Sequence, residues 1–325
     1  MNLILADVGG TNARFAVSSQ DDMSLHHITY LRCADFESFE DAFESFLTRL
    51  PCGDQSDRHV LSLAVAGPVN DQIVDVSNNH WCFGKGQLLK RLQLDSLLVI
   101  NDFTAQALAQ HEAADCHRRQ LLNGVEDASA PLLVIGPGTG LGVSALIPVG
   151  DWPLPIEGEG GNIRFAPQTE PERALREYMR RQAVHVVVEH FVSGPGLETI
   201  YAFLAERTGA EPVLSAERIA EAALRDKGVC RDAVDIMIGI LAGTMADHVL
   251  TMGCWRGAVI AGGIMPRLAP LIASSPFEQR FRSAGEMSHV LENVPVWLSI
   301  DPDAGLNGAR AALGNPHLAH RMLLR

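Results

Sequence analysis

The sequence predicts an α/β protein built from two related halves. Short apolar runs of strand length alternate with stretches whose apolar residues recur every three or four positions, the pattern of helix faces. The opening run Leu3–Ala6, a glycine turn and a second extended run, Ala13–Ser18, recur later in the chain. Gly10 and Thr11 align with Gly138 and Thr139 at an offset of 128, which also aligns Leu5 with Leu133. A strand–glycine–strand unit repeated at half-length suggests duplicated halves facing each other. The length of 325 residues points the same way, because domains usually run to roughly 100–200.

The elements follow in order. Leu3–Ala6 is a buried strand, Asp7 to Asn12 a turn, and Ala13–Ser18 a second strand. His27–Arg32 is a third. Phe36, Phe39, Phe43 and Phe46 form one helix face within Phe36–Leu50 and belong to the core. Val60–Ala66 is a strand closed by Gly67 and Pro68. Leu97–Ile100 is a strand leading into a helix over Thr104–Ala113, with Asp102 or Thr104 as its N-cap. The second half opens with a strand at Pro131–Ile135, a glycine turn and a strand at Val143–Pro148. Helical periodicity covers Glu170–Gln182, Gly196–Arg207, Ser215–Lys227 and Asp232–Met252. Ala258–Ala261 and Val294–Ser299 are strands, and Pro266–Ser274 and Ala304–Leu313 are helices. Pro51–Arg58 and Asp151–Glu159 are the expected exposed loops.

Composition narrows the function. With 47% hydrophobic and 20% charged residues, the chain suits a globular fold rather than disorder. Its formal charge of −13 repels nucleic acid and anionic membranes. A small phosphorylated ligand stays open, since local amides bind phosphate inside an acidic protein. The six cysteines include no pair at CxxC spacing. Scattered thiols of this kind suit a reduced, cytoplasmic protein. No signal peptide and no run of 18 apolar residues is expected.

Seven segments carry candidate chemistry. In Asp7 to Asn12, Gly9 and Gly10 let backbone amides approach phosphate oxygens, Thr11 and Asn12 add donors, and Asp7 can hold hydrated Mg²⁺. The same hexapeptide also suits a plain hairpin turn. Gly136, Gly138, Gly140 and Gly142 surround Thr139 in a second phosphate candidate. It is no Walker A loop, for no Lys-Ser/Thr follows, and no Rossmann fingerprint, for a strand follows. Asp102, after Asn101 at a strand-to-helix junction, can take the proton of a substrate hydroxyl attacking a γ-phosphate, or can merely cap the helix. Glu157, Glu159 and Asn162 lie among glycines, and Glu189 precedes the turn Ser193–Gly196. Carboxylates and amides so placed can grip vicinal hydroxyls of a sugar, or form solvated loops. Gly262 and Gly263 can let adenine or ribose lie on the backbone, or make a β–α turn. Asn78 to Trp81 can line a polar pocket or form a surface loop.

The stretches LADVGGTNARFA (5–16), AVAGPV (64–69), NDFTA (101–105), GPGTGLGV (136–143), GEGGNIRFAP (158–167), VSGPGL (192–197) and IAGGIMPR (260–267) together resemble the bacterial glucokinase family, the ATP-dependent branch outside the ROK group. The ROK zinc-binding cysteine cluster is absent. The resemblance implies an actin-like (ribonuclease H-like) duplicated fold with a cleft between two domains. It implies a small domain of residues 1–112 plus 303–325 and a large one of 113–302. It implies ATP held by the hairpins Ala6, Asp7, Val8, Gly9, Gly10, Thr11, Asn12 and Gly138, Thr139, Gly140, with Gly262 and Gly263, and Mg²⁺ held at Asp7 through water. Asn78, Asn101, Asp102, Glu159, Asn162 and Glu189 would contact the hexose, Asp102 as general base towards the 6-hydroxyl. A homodimer is implied as well.

The sugar loop departs from the family pattern Glu-Gly-Gly-His. Asn162 stands where the family has His, and Arg164 where it often has Asp. Asn is shorter than His and does not titrate. A kinase for another hexose or an amino sugar is therefore the leading alternative, followed by a non-catalytic sugar-binding regulator on the same fold. A phosphohydrolase or chaperone-type ATPase would need no sugar loop.

Overall fold

A computed structural model describes residues 2–19, 24–51, 59–113, 117–211, 213–225 and 228–325. The chain folds into two compact units. The first holds residues 1–113, 146–157 and 301–325, and the second holds 114–145 and 158–300. The segment 146–157, which the sequence reading gives to the large domain, groups with the first unit.

The first unit begins with β1 (Asn2–Val8), β2 (Asn12–Ser18) and β3 (His26–Arg32), followed by α1 (Phe39–Leu47). The helix starts at Phe39 rather than Phe36 because Ser38 caps it, its hydroxyl accepting from Asp41 N. Next come β4 (His59–Val65), the short hairpin β5 (Ile73–Asp75) and β6 (Cys82–Gly84), α2 (Lys85–Arg91), β7 (Ser96–Asn101) and α3 (Asp102–Glu112). The hairpin and α2 are too short to show periodicity in sequence. Of the expected loop Pro51–Arg58, residues 52–58 lie outside the described residues.

The chain continues with β8 (Arg118–Leu122), β9 (Leu132–Pro137), β10 (Leu141–Ile147), β11 (Leu154–Gly158), α4 (Glu170–Met179), α5 (Gly194–Thr208), α6 (Ala216–Arg225) and α7 (Val229–Met252), of which β11 up to Glu157 and the end of β10 belong to the first unit. After these come β12 (Gly257–Ile260), α8 (Met265–Ile272), α9 (Phe277–Arg282), α10 (Ser288–Leu291) and β13 (Val296–Ser299). The chain returns to the first unit with α11 (Ala304–Gly314) and β14 (Leu323–Leu324). Asp151–Glu159, expected as an exposed loop, instead contains β11, and Pro153 within it is buried. By length and composition α7 could cross a membrane, but 67% of its apolar window is buried inside the protein, as for a core helix.

Two six-stranded sheets repeat one order. The first runs β14-β7-β4-β1-β2-β3 and the second β11-β10-β9-β12-β13-β8. In each, three adjacent strands are parallel: β1, β4 and β7 in the first, β9, β12 and β13 in the second. Each also carries an antiparallel sixth strand beside the last of the three, β14 on β7 and β8 on β13. The repeat at an offset of 128 is thus a repeat of whole sheets, β1-β2 corresponding to β9-β10.

Period-2 alternation explains why β1 reads as an unbroken apolar run: both faces are covered. Ile4, Ala6 and Val8 join a core with Phe15, Phe39, Phe43 and Phe46, where the Phe15 and Phe46 rings stack at 5.2 Å. Leu5 faces the other way, with Ala16 and Leu306 of α11. Phe36 lies outside α1 and packs only partly buried on the aromatic core.

Candidate active site

Parallel strands in open α/β sheets present ligands with the ends where their carboxyl termini emerge. The candidate residues of the first unit gather there. Asp7 is the penultimate residue of β1, Ala66 and Gly67 follow β4, and Asn101 ends β7. The register aligns Asp7 with Ala64 and Val65 with Asn101, so these groups occupy one edge of the sheet.

The β1–β2 turn closes with Gly9 N donating to Asn12 O at 3.0 Å. Its carbonyls are drawn backwards. Gly9 O accepts from Asn79 Nδ2 (3.2 Å) and from Cys33 Sγ (3.7 Å), and Thr11 O accepts from Cys33 N (2.9 Å). Carbonyl oxygens held this way do not oppose an incoming phosphate, while Thr11 and Asn12 stay exposed at the tip. Ala6 and Val8 are fully buried in the core, so only their backbone is open to a nucleotide. Asn78 adopts a φ of 57°, a region asparagine tolerates. Its carbonyl and Cβ lie against Gly10, which places the β5–β6 turn on the hairpin. Asn79, which the sequence reading does not single out as a ligand, is the residue that grips the turn. Trp81 beside it is buried, so this segment is more than a surface loop.

Asp7 is 8% exposed, and its carboxylate pairs with Arg14 Nη1 at 3.1 Å. Burial raises its pKa, the Arg14 charge and hydrogen bond pull it back, and Asp303 adds to the rise. Arg14 lies over the Tyr30 ring at 5.7 Å, and Tyr30 OH donates to Asp303 Oδ1 at 2.7 Å. Gly305, in the first turn of α11, lies on the Asp7 carboxylate, where any Cβ would collide with Oδ2. Among the described residues no group of three or more His, Cys, Asp or Glu could hold a metal ion. Mg²⁺ commonly binds through one or two carboxylates, with waters and substrate phosphates completing its shell. A single desolvated carboxylate beside a glycine turn fits that mode.

Asn101, not Asp102 or Thr104, caps α3: its Oδ1 accepts from Phe103 N (2.9 Å) and Thr104 N (3.2 Å). Its Nδ2 donates to Gly67 O at 3.2 Å. The shift of one residue puts Asp102 in the first helical position, half-buried, with Oδ1 accepting from Phe103 N at 2.9 Å.

The second unit builds its own cluster. The β9–β10 turn closes with Gly138 N donating to Gly140 O at 2.8 Å. Thr139 is exposed at the tip. Gly138 O accepts from Gly194 N (2.9 Å), at the start of α5, which Ser193 caps. Glu189 Oε2 accepts from Leu141 N at 2.7 Å, and a Cβ on Gly140 would come within 2.5 Å of it. Glu189 therefore clamps the glycine turn, a role absent from the sequence reading. Gly262, at φ 84°, rests against Pro137 O, and the Gly263 face is open.

The loop Glu159–Asn162 is a short 3-10 turn in which Asn162 N donates to Glu159 O at 2.9 Å. Gly160 and Gly161 bring it hard against Val143 and Leu141 of β10. Burial raises the Glu159 pKa, the nearby Glu189 charge raises it further, and a hydrogen bond with Asn162 opposes both. Two neighbouring carboxylates, one of them hydrogen-bonded to the Asn162 amide, offer acceptors and donors to vicinal hydroxyls. Glu157 lies elsewhere, bonded to Thr104 and Arg321 within the first unit.

Residues 4–316 match the glucokinase family model. This chain belongs to the glucokinase family. With that family it is an enzyme, a hexokinase-type sugar kinase acting on glucose. A glucokinase of Helicobacter pylori is 39% identical over 98% of this chain and 96% of its own length. One of Neisseria gonorrhoeae is 37% identical over 96% and 94%. The crystal structure of a glucokinase from an Antarctic psychrotroph superposes with a TM-score of 0.80, at 31% identity over 96% of this chain and 98% of that one. The glucose complex of Balamuthia mandrillaris glucokinase, at 19% identity and a TM-score of 0.78 over 95% and 92% of the two chains, shares the fold. The fold is the actin-like one of these sugar kinases.

Proposed function

We propose that the chain transfers the γ-phosphoryl group of MgATP to the 6-hydroxyl of glucose, with Asp102 as the general base. The observation that carries this reading is the cap at Asn101, which leaves the Asp102 carboxylate at the head of α3 and at the carboxyl end of a parallel strand. Asn101 and Asp102 of the first unit, and Glu159, Asn162 and Glu189 of the second, are the sugar ligands of this reading, with Asn78 beside them. The turns at Gly9–Asn12 and Gly138–Gly140 cradle phosphates, and Gly262 and Gly263 receive the adenosine.

Asp102 accepts the 6-hydroxyl proton as that oxygen forms its bond to the γ-phosphorus. The bond from phosphorus to the β–γ bridging oxygen breaks, and ADP leaves. The proton can move late, so the carboxylate need not match the basicity of an alkoxide. Asp7 would hold Mg²⁺ through water, and the ion would neutralise phosphate charge. The same reading places the enzyme in the cytoplasm as a homodimer. Among the described residues, the cysteines, buried Cys33 and Cys254 included, are free thiols.

Asn162 favours a second reading, a kinase for another hexose or amino sugar. Both readings are tested by ADP formation from MgATP with glucose, mannose, fructose, glucosamine, N-acetylglucosamine or no sugar. Glucose is expected to lead in kcat/KM. A lead by another sugar moves the assignment to that sugar, and ADP release without sugar overturns both.

Gly305→Ala tests the Asp7 assignment. The added methyl group displaces the carboxylate. The KM for MgATP is expected to rise about tenfold, the equivalent of about 1.4 kcal/mol. Glucose binding, followed by calorimetry, should hold. An unchanged KM for MgATP removes Asp7 from the nucleotide site.

A further inference from the structure

By sequence Glu157 groups with the sugar loop, yet its side chain turns to a different task. Oε1 accepts from Thr104 Oγ1 at 2.9 Å, and Oε2 accepts from Arg321 Nη1 at 2.6 Å. Thr104 is fully buried and stands two residues after Asp102, in the first turn of α3. Arg321 ends the C-terminal 3-10 segment Pro316–Arg321. That segment is fastened to the same stretch a second time, where Asn315 Nδ2 donates to Pro153 O at 2.8 Å. Lys85 belongs to the same charge group. Burial lowers its pKa, with Arg321 adding to the drop, while Asp71 and Glu157 oppose it. Arg321 thus supplies the cation that Glu157 needs, and Glu157 the anion that offsets Arg321 and Lys85.

Glu157 is also the last residue of the first unit before the chain passes, through Gly158, to Glu159. Its carboxylate therefore holds the turn that carries Asp102, two residues before the chain reaches Glu159. α3 is also fixed by α11, whose Gly308 lies directly on Ala105 O.

We infer that Glu157 is a positioning residue for phosphoryl transfer, setting the Asp102 carboxylate through Thr104 with Arg321 as its counter-ion. The inference rests on Asp102 being the base. Reacting groups tolerate little displacement, since a shift of about 1 Å can cost a hundredfold in rate.

The test uses the full-length enzyme with glucose and MgATP. Glu157→Ala is expected to lower kcat about 30-fold, with the KM for MgATP within about twofold of wild type. Thr104→Val, which preserves shape, should lower kcat about fivefold, and Thr104→Ser, which restores the hydroxyl, should return it. Combining Glu157→Ala with Thr104→Val should cost no more than Glu157→Ala alone, because the two act through one bond. A purely structural role would depress thermal stability and the KM for MgATP along with kcat, without rescue by serine. Wild-type kcat in Glu157→Ala, additive losses, or a serine variant as slow as the valine one would each overturn the inference. If Asp102→Asn keeps full turnover, the reading of Asp102 and this inference fall together. If that variant is inactive while Glu157→Ala is not impaired, only this inference falls.

Discussion

Asp102→Asn lowers kcat about a thousandfold, the middle of the range for removing a general base. Glucose affinity changes by about threefold or less. Asparagine is nearly isosteric and keeps an oxygen for Phe103 N, the bond Asp102 Oδ1 accepts at 2.9 Å. Asn101 still caps α3 through Phe103 N and Thr104 N, so the helix start survives. What disappears is the capacity to take a proton. A coupled assay of ADP release gives kcat, and isothermal titration with glucose gives Kd. A variant within tenfold of wild-type kcat would show that the proton leaves by another route.

Glu189→Ala has the second large effect, and it strikes two ligands at once. Oε2 holds Leu141 N at 2.7 Å beside the Gly138–Gly140 turn, and the same carboxylate lies near Glu159. Truncation leaves a backbone amide of the turn without its acceptor and removes the sugar contact proposed for Glu189. An unmet buried hydrogen bond costs about 1–3 kcal/mol. With one on each side, kcat/KM for glucose falls about a hundredfold, and the KM for MgATP also rises. Glu189→Gln separates the two, since its amide oxygen still accepts from Leu141 N. The KM for MgATP should recover while glucose affinity stays weak. Loss of glucose affinity alone in Glu189→Ala would mean that the bond to Leu141 contributes nothing to nucleotide binding.

Much of the fold was legible because local rules and tertiary structure agree. The two glycine turns announced themselves by composition and by their common offset, and the sheets repeat with them. Phe36, Phe39, Phe43 and Phe46 showed a core face, and the three of them that lie in α1 are buried there. The misreadings are equally local in origin. Either Asp102 or Thr104 is an acceptable N-cap by residue type, and only the geometry of the chain leaving β7 selects Asn101. Asp151–Glu159, rich in charge and proline, reads as a loop. Pairing with β10 and the buried Pro153 make part of it a strand. Among the candidate residues, Asp7 was visible as a carboxylate at a strand end. Its partner Arg14 was also within reach, for a tight antiparallel turn places the two opposite each other.

The sequence determined the chemistry on offer: glycine turns, a carboxylate at a strand-to-helix junction, and paired acids in a glycine-rich loop. Residue type and short spacing encode those properties. Tertiary structure alone decided which acid does what. Glu157, Glu159 and Glu189 are the same residue in similar surroundings along the chain. Their contacts differ because Thr104, Arg321 and Leu141 reach them from 53, 164 and 48 positions away. A hydrogen bond depends on where two groups meet in space, and separations of that size leave no trace in local pattern.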